Sequence, residues 1–195
     1  MTNKTKIILI VVLAIVITIG TVVAVRSCES YNDPSFITLG GEVIPINETD
    51  LSLDFYSGGD FSALTKLQDL EVLWISGWAY NEFSSEDINL MLEAISELTN
   101  LRELRLTSLD IVDVSSLSSL VNLEYLNLSN NQVVDISPLI SLTSLTELNL
   151  FGNKVSDISP LTEIANLSWV WLSENPITDL SPLDSLPNDV RVDFE

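Results

Sequence analysis

Leu123-Glu124-Tyr125-Leu126-Asn127-Leu128-Ser129-Asn130-Asn131-Gln132-Val133-Val134-Asp135-Ile136-Ser137-Pro138-Leu139 recurs, with substitutions, on both sides of itself. Leu101, Leu123, Leu145 and Leu167 stand 22 residues apart, and Leu104, Leu126, Leu148 and Val170 follow each by three. Leu106, Leu128, Leu150 and Leu172 come two residues later. The same period carries Asn131, Asn153 and Asn175, then Asp113, Asp135, Asp157 and Asp179, then Leu117, Leu139, Leu161 and Leu183. Apolar residues locked to a fixed period of this length mark a solenoid, in which each unit buries its apolar face against its neighbours.

Every column of the repeat has a physical reading. Leu104 and Leu106 alternate with polar residues, as a strand with one buried face requires. The asparagine column sits where the chain leaves the strand, and its amides are expected to bond backbone groups buried at that turn. Leu109 stands in that place in the first regular unit, so the ladder should begin one turn late, at Asn131. Ser137-Pro138, Ser159-Pro160 and Ser181-Pro182 are read as N-cap serines before a proline at the first helical position, opening short helical turns of the 3₁₀ or α type on the convex side. The aspartates read as turn hydrogen-bonding residues rather than metal ligands, because no compact run of oxygen donors accompanies them.

Outward from this region the pattern loosens. Leu53 and Phe55 read as the first strand, with Ser52 level with Val72 and Asp54 with Trp74; Leu70, Leu73 and Ile75 read as the second. The unit from Leu70 to Leu101 is 31 residues long. Its additional length holds Ile88, Met91, Leu92, Ile95 and Leu98 at helical spacing behind Ser84-Ser85-Glu86-Asp87, which predicts a longer convex helix over about 85–97. Ile37-Thr38-Leu39 and Val43-Ile44-Pro45-Ile46, around Gly40-Gly41, read as a β-hairpin cap over 37–48. The repeat domain is placed at 49–195. Val190, Val192 and Phe194 supply its last strand, with no capping unit read after it, so that edge is expected to stay partly open or be covered by a partner such as a second copy.

Residues 1–6 carry Lys4 and Lys6, and Ile7 to Val25 run without a charge. A helix of that length spans roughly 28 Å at about 1.5 Å per residue, close to a bilayer's hydrocarbon thickness. The lysines predict a cytoplasmic tail at 1–6, a transmembrane signal anchor at 7–25, a linker at 26–36 and an extracytoplasmic repeat domain. Cleavage near Ala24 and lipid attachment at Cys28 are the competing readings of this segment.

Of the 8 basic residues, Lys4, Lys6 and Arg26 precede all 28 acids. Five bases remain in the rest of the chain, a formal charge of about −23 that opposes binding to nucleic acid or an anionic membrane surface. The acidity reads as solubilising, with a cationic partner as the alternative. Histidine is absent and Cys28 is the single cysteine, which excludes an intrachain disulfide and removes the commonest general base. No catalytic constellation, cofactor motif or metal site is read.

The run from Leu123 to Asn131 resembles the leucine-rich repeat motif L-x-x-L-x-L-x-x-N, and Val133 to Leu139 resembles the second half of the 22-residue, internalin-like bacterial class. Residues 101–186 match well and 50–100 partly. The resemblance implies an α/β solenoid with a parallel sheet on the concave face, short helical turns on the convex face, and a role in binding proteins.

The strand positions between the core leucines must then line the concave face. Tyr125, Phe151, Trp169 and Trp171 gather toward its C-terminal half, with Trp74 near the start. Aromatics at solvent-facing positions mark binding hot spots, and the alternative is that they pack on one another. Trp74, Arg105, Tyr125, Asn127, Asn149, Phe151, Trp169 and Trp171 are the candidate partner-binding residues. The expected partner is a protein or peptide; a glycan-binding surface and a scaffold self-associating through its C-terminal edge are the other readings.

Overall fold

The structure is a computed structural model that describes residues 35–39, 42–55, 61–77, 83–187 and 189–194. The expected tail at 1–6, the expected anchor at 7–25, Cys28 and the expected linker as far as residue 34 lie outside the described residues, as do Gly40-Gly41 and Glu195; Phe36, placed at the end of that linker, is instead the first residue of a strand. No helix among those described is long and apolar enough to cross a membrane.

Strands β3 (Asp50–Phe55), β4 (Val72–Gly77), β5 (Glu103–Thr107), β6 (Tyr125–Asn127), β7 (Glu147–Asn149), β8 (Trp169–Trp171) and β9 (Arg191–Asp193) form one parallel sheet in chain order. The inward residues of β4 to β8, among them Leu73, Leu104, Leu126, Leu148 and Val170, are fully buried, whereas Val192 on β9 is only partly so. Each strand can bury only one face, so the chain must return across the opposite side before the next begins. Four regular returns are 3₁₀ turns at Ser115–Ser119, Ser137–Ser141, Ser159–Glu163 and Ser181–Ser185, and a fifth covers Phe61–Lys66. Leu117, Leu139 and Leu161 reach from these turns into the core.

Helix α1 (Ser85–Ser96) replaces one such turn. The Ser84 hydroxyl accepts the Asp87 amide N–H while the Asp87 carboxylate accepts the Ser84 N–H, a reciprocal pair that fixes the helix start within a residue of the predicted position. The buried stripe Ile88, Met91, Leu92, Ile95 packs between the 3₁₀ turns at 61–66 and 115–119. Strands β1 (Phe36–Leu39) and β2 (Glu42–Pro45) pair antiparallel, and Ile37, Leu39 and Ile44 join the same core as the repeats.

Two expectations are corrected. Asp50, not Ser52, is level with Val72, and Ser52 rather than Asp54 is level with Trp74. The 22-residue step that joins later strands also holds between β3 and β4, whereas the expected pairing used a step of 20. The serines before the prolines are not N-caps: Ile136 and Ile158 hold that position with no side-chain capping bond, and proline follows inside the turn. The aspartate one residue earlier does the capping. Asp113, Asp135, Asp157 and Asp179 each accept the backbone N–H of the serine two residues on, at 2.8 to 2.9 Å. Hydrogen bonds from the serine hydroxyl, then from its backbone, hold the carboxyls of Asp113, Asp157 and Asp179 below the ordinary aspartate range.

The asparagine ladder starts at Asn131, as expected. Asn153 accepts from the Val133 N–H at 3.0 Å and donates to Leu128 O at 2.9 Å and Leu150 O at 3.0 Å. Asn131 and Asn175 bond the equivalent groups one turn to either side. Two further features mark the turns. Ser108, Asn130, Gly152 and Glu174, at the same place in successive repeats, all take positive φ between 57° and 65°, and Asp110 does so two residues after Ser108. At the other end of the strands Asn100, Asn122 and Asn166 donate to the Gln68, Thr99 and Thr143 carbonyls, forming a second ladder.

Candidate functional site

Because the core residues of β4 to β8 point inward, the intervening side chains must point out from the other face of the sheet, the face expected to be concave. Two groups of aromatic residues stand on it.

The first spans β4 to β6. The guanidinium carbon of Arg105 lies 4.4 Å from the Trp74 ring centroid and 4.7 Å from that of Tyr125, so the cation is held between two π faces. Glu103 fixes it from the side: its Oε1 accepts from Arg105 Nε at 2.6 Å and from Trp74 Nε1 at 2.9 Å. Four side chains on three strands are thereby ordered in advance of any ligand, and Trp74 remains 37% exposed.

The second occupies β8. Trp169 and Trp171 are two residues apart on one face of the strand and stack with ring centroids 4.7 Å apart and planes 12° from parallel. Arg191 on β9 places its guanidinium carbon 5.4 Å from the Trp169 ring. Phe151, just past β7, is 39% exposed. The tryptophans therefore pack on one another and still keep part of their surface in solvent.

Asn127 and Asn149, between the two groups, are partly committed to the scaffold. Their Oδ1 atoms accept the Ser129 and Phe151 N–H groups at 2.9 Å, closing the turn after each strand. Only their amide nitrogens face outward chemistry, and that of Asn127 lies 3.5 Å from the Tyr125 hydroxyl. At the N-terminal end of the sheet, burial, then the charges of Glu103 and Glu48, push the Asp50 carboxyl above its ordinary value.

A separate groove of about 720 Å³ runs along the edge where the chain enters strands β3 to β7, lined by residues including Asp69, Glu71, Asn100, Arg102 and Glu124. Arg102 is engaged there by Glu124 at 2.6 Å. Periodicity gave no sign of this groove, because its lining falls on the exposed residues just before each strand. Among the described residues, no group of three or more histidine, cysteine, aspartate or glutamate side chains is placed to hold a metal ion.

Residues 99–141 and 121–163 match the family model of leucine-rich repeats in two copies. Together the two matches span residues 99–163, one third of this chain. Its fold is similar to internalin C2 from Listeria monocytogenes, with 27% identity and a TM-score of 0.51 over 80% of this chain and 86% of that one. Internalin F of the same organism aligns at 24% identity and a TM-score of 0.44, over 74% of this chain and 54% of its own. A plant peptide hormone receptor, RGFR1, solved in complex with RGF2, shares the fold at 17% identity and a TM-score of 0.55, over 77% of this chain and 25% of the receptor. No curated protein matches the sequence significantly.

Proposed function

We propose that this chain is a membrane-anchored, extracytoplasmic leucine-rich repeat protein of a bacterium that holds a protein or peptide partner on its concave face. The observation that carries this reading is the partly exposed Trp169–Trp171 stack, standing about three strand spacings, roughly 14 Å, from the Arg105 group. Pre-stacked aromatics lose little side-chain entropy on binding, and an arginine already fixed between two rings gives a directed donor beside them. An extended peptide laid across the strands would reach both groups with about five residues at roughly 3.3 Å each. Leucine-rich repeat domains generally mediate protein–protein interactions, and the likeness to internalin C2 supports that class over an enzymatic one.

The apolar run at 7–25, preceded by Lys4 and Lys6, supports the anchor and its orientation. Protease treatment of intact cells should remove the repeat domain while leaving cytoplasmic proteins whole. Its survival under conditions that strip known surface proteins refutes the placement. For the binding face, Trp169→Ala with Trp171→Ala should abolish partner capture from cell-surface extracts without changing the circular dichroism spectrum. Undiminished capture refutes the role of the stack.

A further inference from the structure

The last described turn of the solenoid differs from those before it. Leu180 is 40% exposed where Ile158, its equivalent one repeat earlier, is 1% exposed. Leu183, Leu186, Val190 and Val192 are likewise only partly buried, and Phe194 is 39% exposed. Strand β9 has one neighbour among the described strands. Arg191 N–H donates to Ser168 O and Asp193 O accepts from Leu172 N–H, so both residues direct their backbone groups toward β8. By strand alternation the N–H and C=O of Val192 point the other way, out of the sheet edge.

The sequence of that edge is complementary to its own reverse. Val190-Arg191-Val192-Asp193-Phe194 reads apolar, positive, apolar, negative, apolar. Turned about an axis through Val192, it sets Arg191 against Asp193 and Asp193 against Arg191. The same turn sets Val190 against Phe194 and Val192 against itself. Arg191 and Asp193 project from the concave face and the three apolar residues from the core face, so charge meets charge on one side and hydrocarbon meets hydrocarbon on the other. Val192, with its outward N–H and C=O, would form the hydrogen-bonded pair at the centre, and the two Arg191–Asp193 pairs would take the closer, non-hydrogen-bonded positions beside it. Arg191 is exposed and makes no ion pair with a described residue.

We propose that the β9 edge pairs antiparallel with the β9 edge of a second copy of this chain, joining two concave sheets about a two-fold axis through Val192. The interface is isologous, as a two-fold dimer requires. It covers the apolar end of the last described repeat and brings the two Trp169–Trp171 stacks to either side of the axis. This goes beyond partner binding and does not depend on it.

A charge exchange tests the pairing and its register together. The full-length chain in a mild non-ionic detergent is studied by sedimentation equilibrium, with circular dichroism confirming the fold of each variant. The native chain should be a concentration-dependent dimer. Arg191→Asp sets aspartate against aspartate at both symmetry-related positions, and Asp193→Arg sets arginine against arginine, so each should weaken dimerisation by about tenfold or more. The double variant Arg191→Asp/Asp193→Arg restores opposite charges and should recover the dimer. Asp193 also accepts from the Ser173 hydroxyl at 3.0 Å. Asp193→Arg and the double variant both lose that bond, so recovery reports the pairing alone. A native chain that stays monomeric overturns the proposal, as does dimerisation unmoved by the single changes or not recovered in the double.

Discussion

Replacing Asn153 by alanine removes the central rung of the ladder that ties successive strand exits together. The side chain is buried, and three hydrogen bonds of 3.0 Å or less go with it, one accepted from Val133 and two donated to Leu128 and Leu150. Their backbone partners stay buried beneath the next repeat, where water does not readily replace the lost groups. At about 1–3 kcal/mol for each buried group left unmet, partly offset by relaxation, the loss should be about 3–5 kcal/mol. That is a large share of the roughly 5–15 kcal/mol that stabilises an ordinary domain. Asn175 bonds equivalent groups near the more open end, where its partners are only part-buried, so Asn175→Ala should lose about 1–2 kcal/mol. Urea unfolding followed by far-ultraviolet circular dichroism measures both, and hydrogen exchange at the Val133 amide should accelerate in the Asn153 variant alone. A loss below about 1 kcal/mol for Asn153→Ala, or a larger loss for Asn175→Ala, would refute the reasoning.

Other expectations follow from single contacts. Glu174 holds φ 60° in the column where Gly152 holds 65°, so Glu174→Gly should stabilise by about 0.5–1 kcal/mol. Gly152→Ala should destabilise by more, about 1–2 kcal/mol, since its Cβ would also lie 2.8 Å from Asn130 Oδ1; thermal unfolding compares the two. Ser84→Ala breaks the reciprocal cap of α1 and should lose about 1 kcal/mol in urea unfolding. The carboxyls of Asp113, Asp157 and Asp179 are depressed in the folded state. Their contribution is therefore fully present above the unfolded aspartate range and is lost as pH falls through their lower folded values. Asp157→Asn keeps an oxygen acceptor without the charge and should flatten the acid limb of stability against pH. Asp50 has the opposite sign, because its raised value means the folded state favours the protonated form. Asp50→Asn should raise the urea midpoint at neutral pH and leave it nearly unchanged at pH values where Asp50 is already protonated.

Most of the scaffold was legible because a solenoid repeats its physics: each Leu104-type position is buried by the same neighbours one turn on. The register of β3 was not legible from alternation alone. Leu51, Leu53 and Phe55 keep period two under any shift by two residues, and only extending the 22-residue step backward places Asp50 beside Val72. The positive-φ column was hidden because serine, asparagine, glycine and glutamate share it, and one glycine in four gives no pattern. The second ladder was hidden by Ser144 standing where Asn122 and Asn166 flank it. On the concave face, the Trp169–Trp171 contact follows from a spacing of two on one strand. The sandwich of Arg105 needed three dimensions, since Tyr125 is level with Glu103 and reaches the guanidinium only on the diagonal. The scaffold role of Asn127 and Asn149 was equally invisible, because asparagine on an exposed face serves a turn or a ligand with the same atoms.

The most direct measurement places a photo-activatable amino acid at Phe151 on the concave face, and separately at Leu90, exposed on α1, and irradiates intact cells. A covalent adduct with a partner should form from position 151, disappear when Trp169→Ala and Trp171→Ala are added, and be absent from position 90. An adduct from position 90 with none from 151, or one from 151 indifferent to both tryptophans, would contradict a concave binding face.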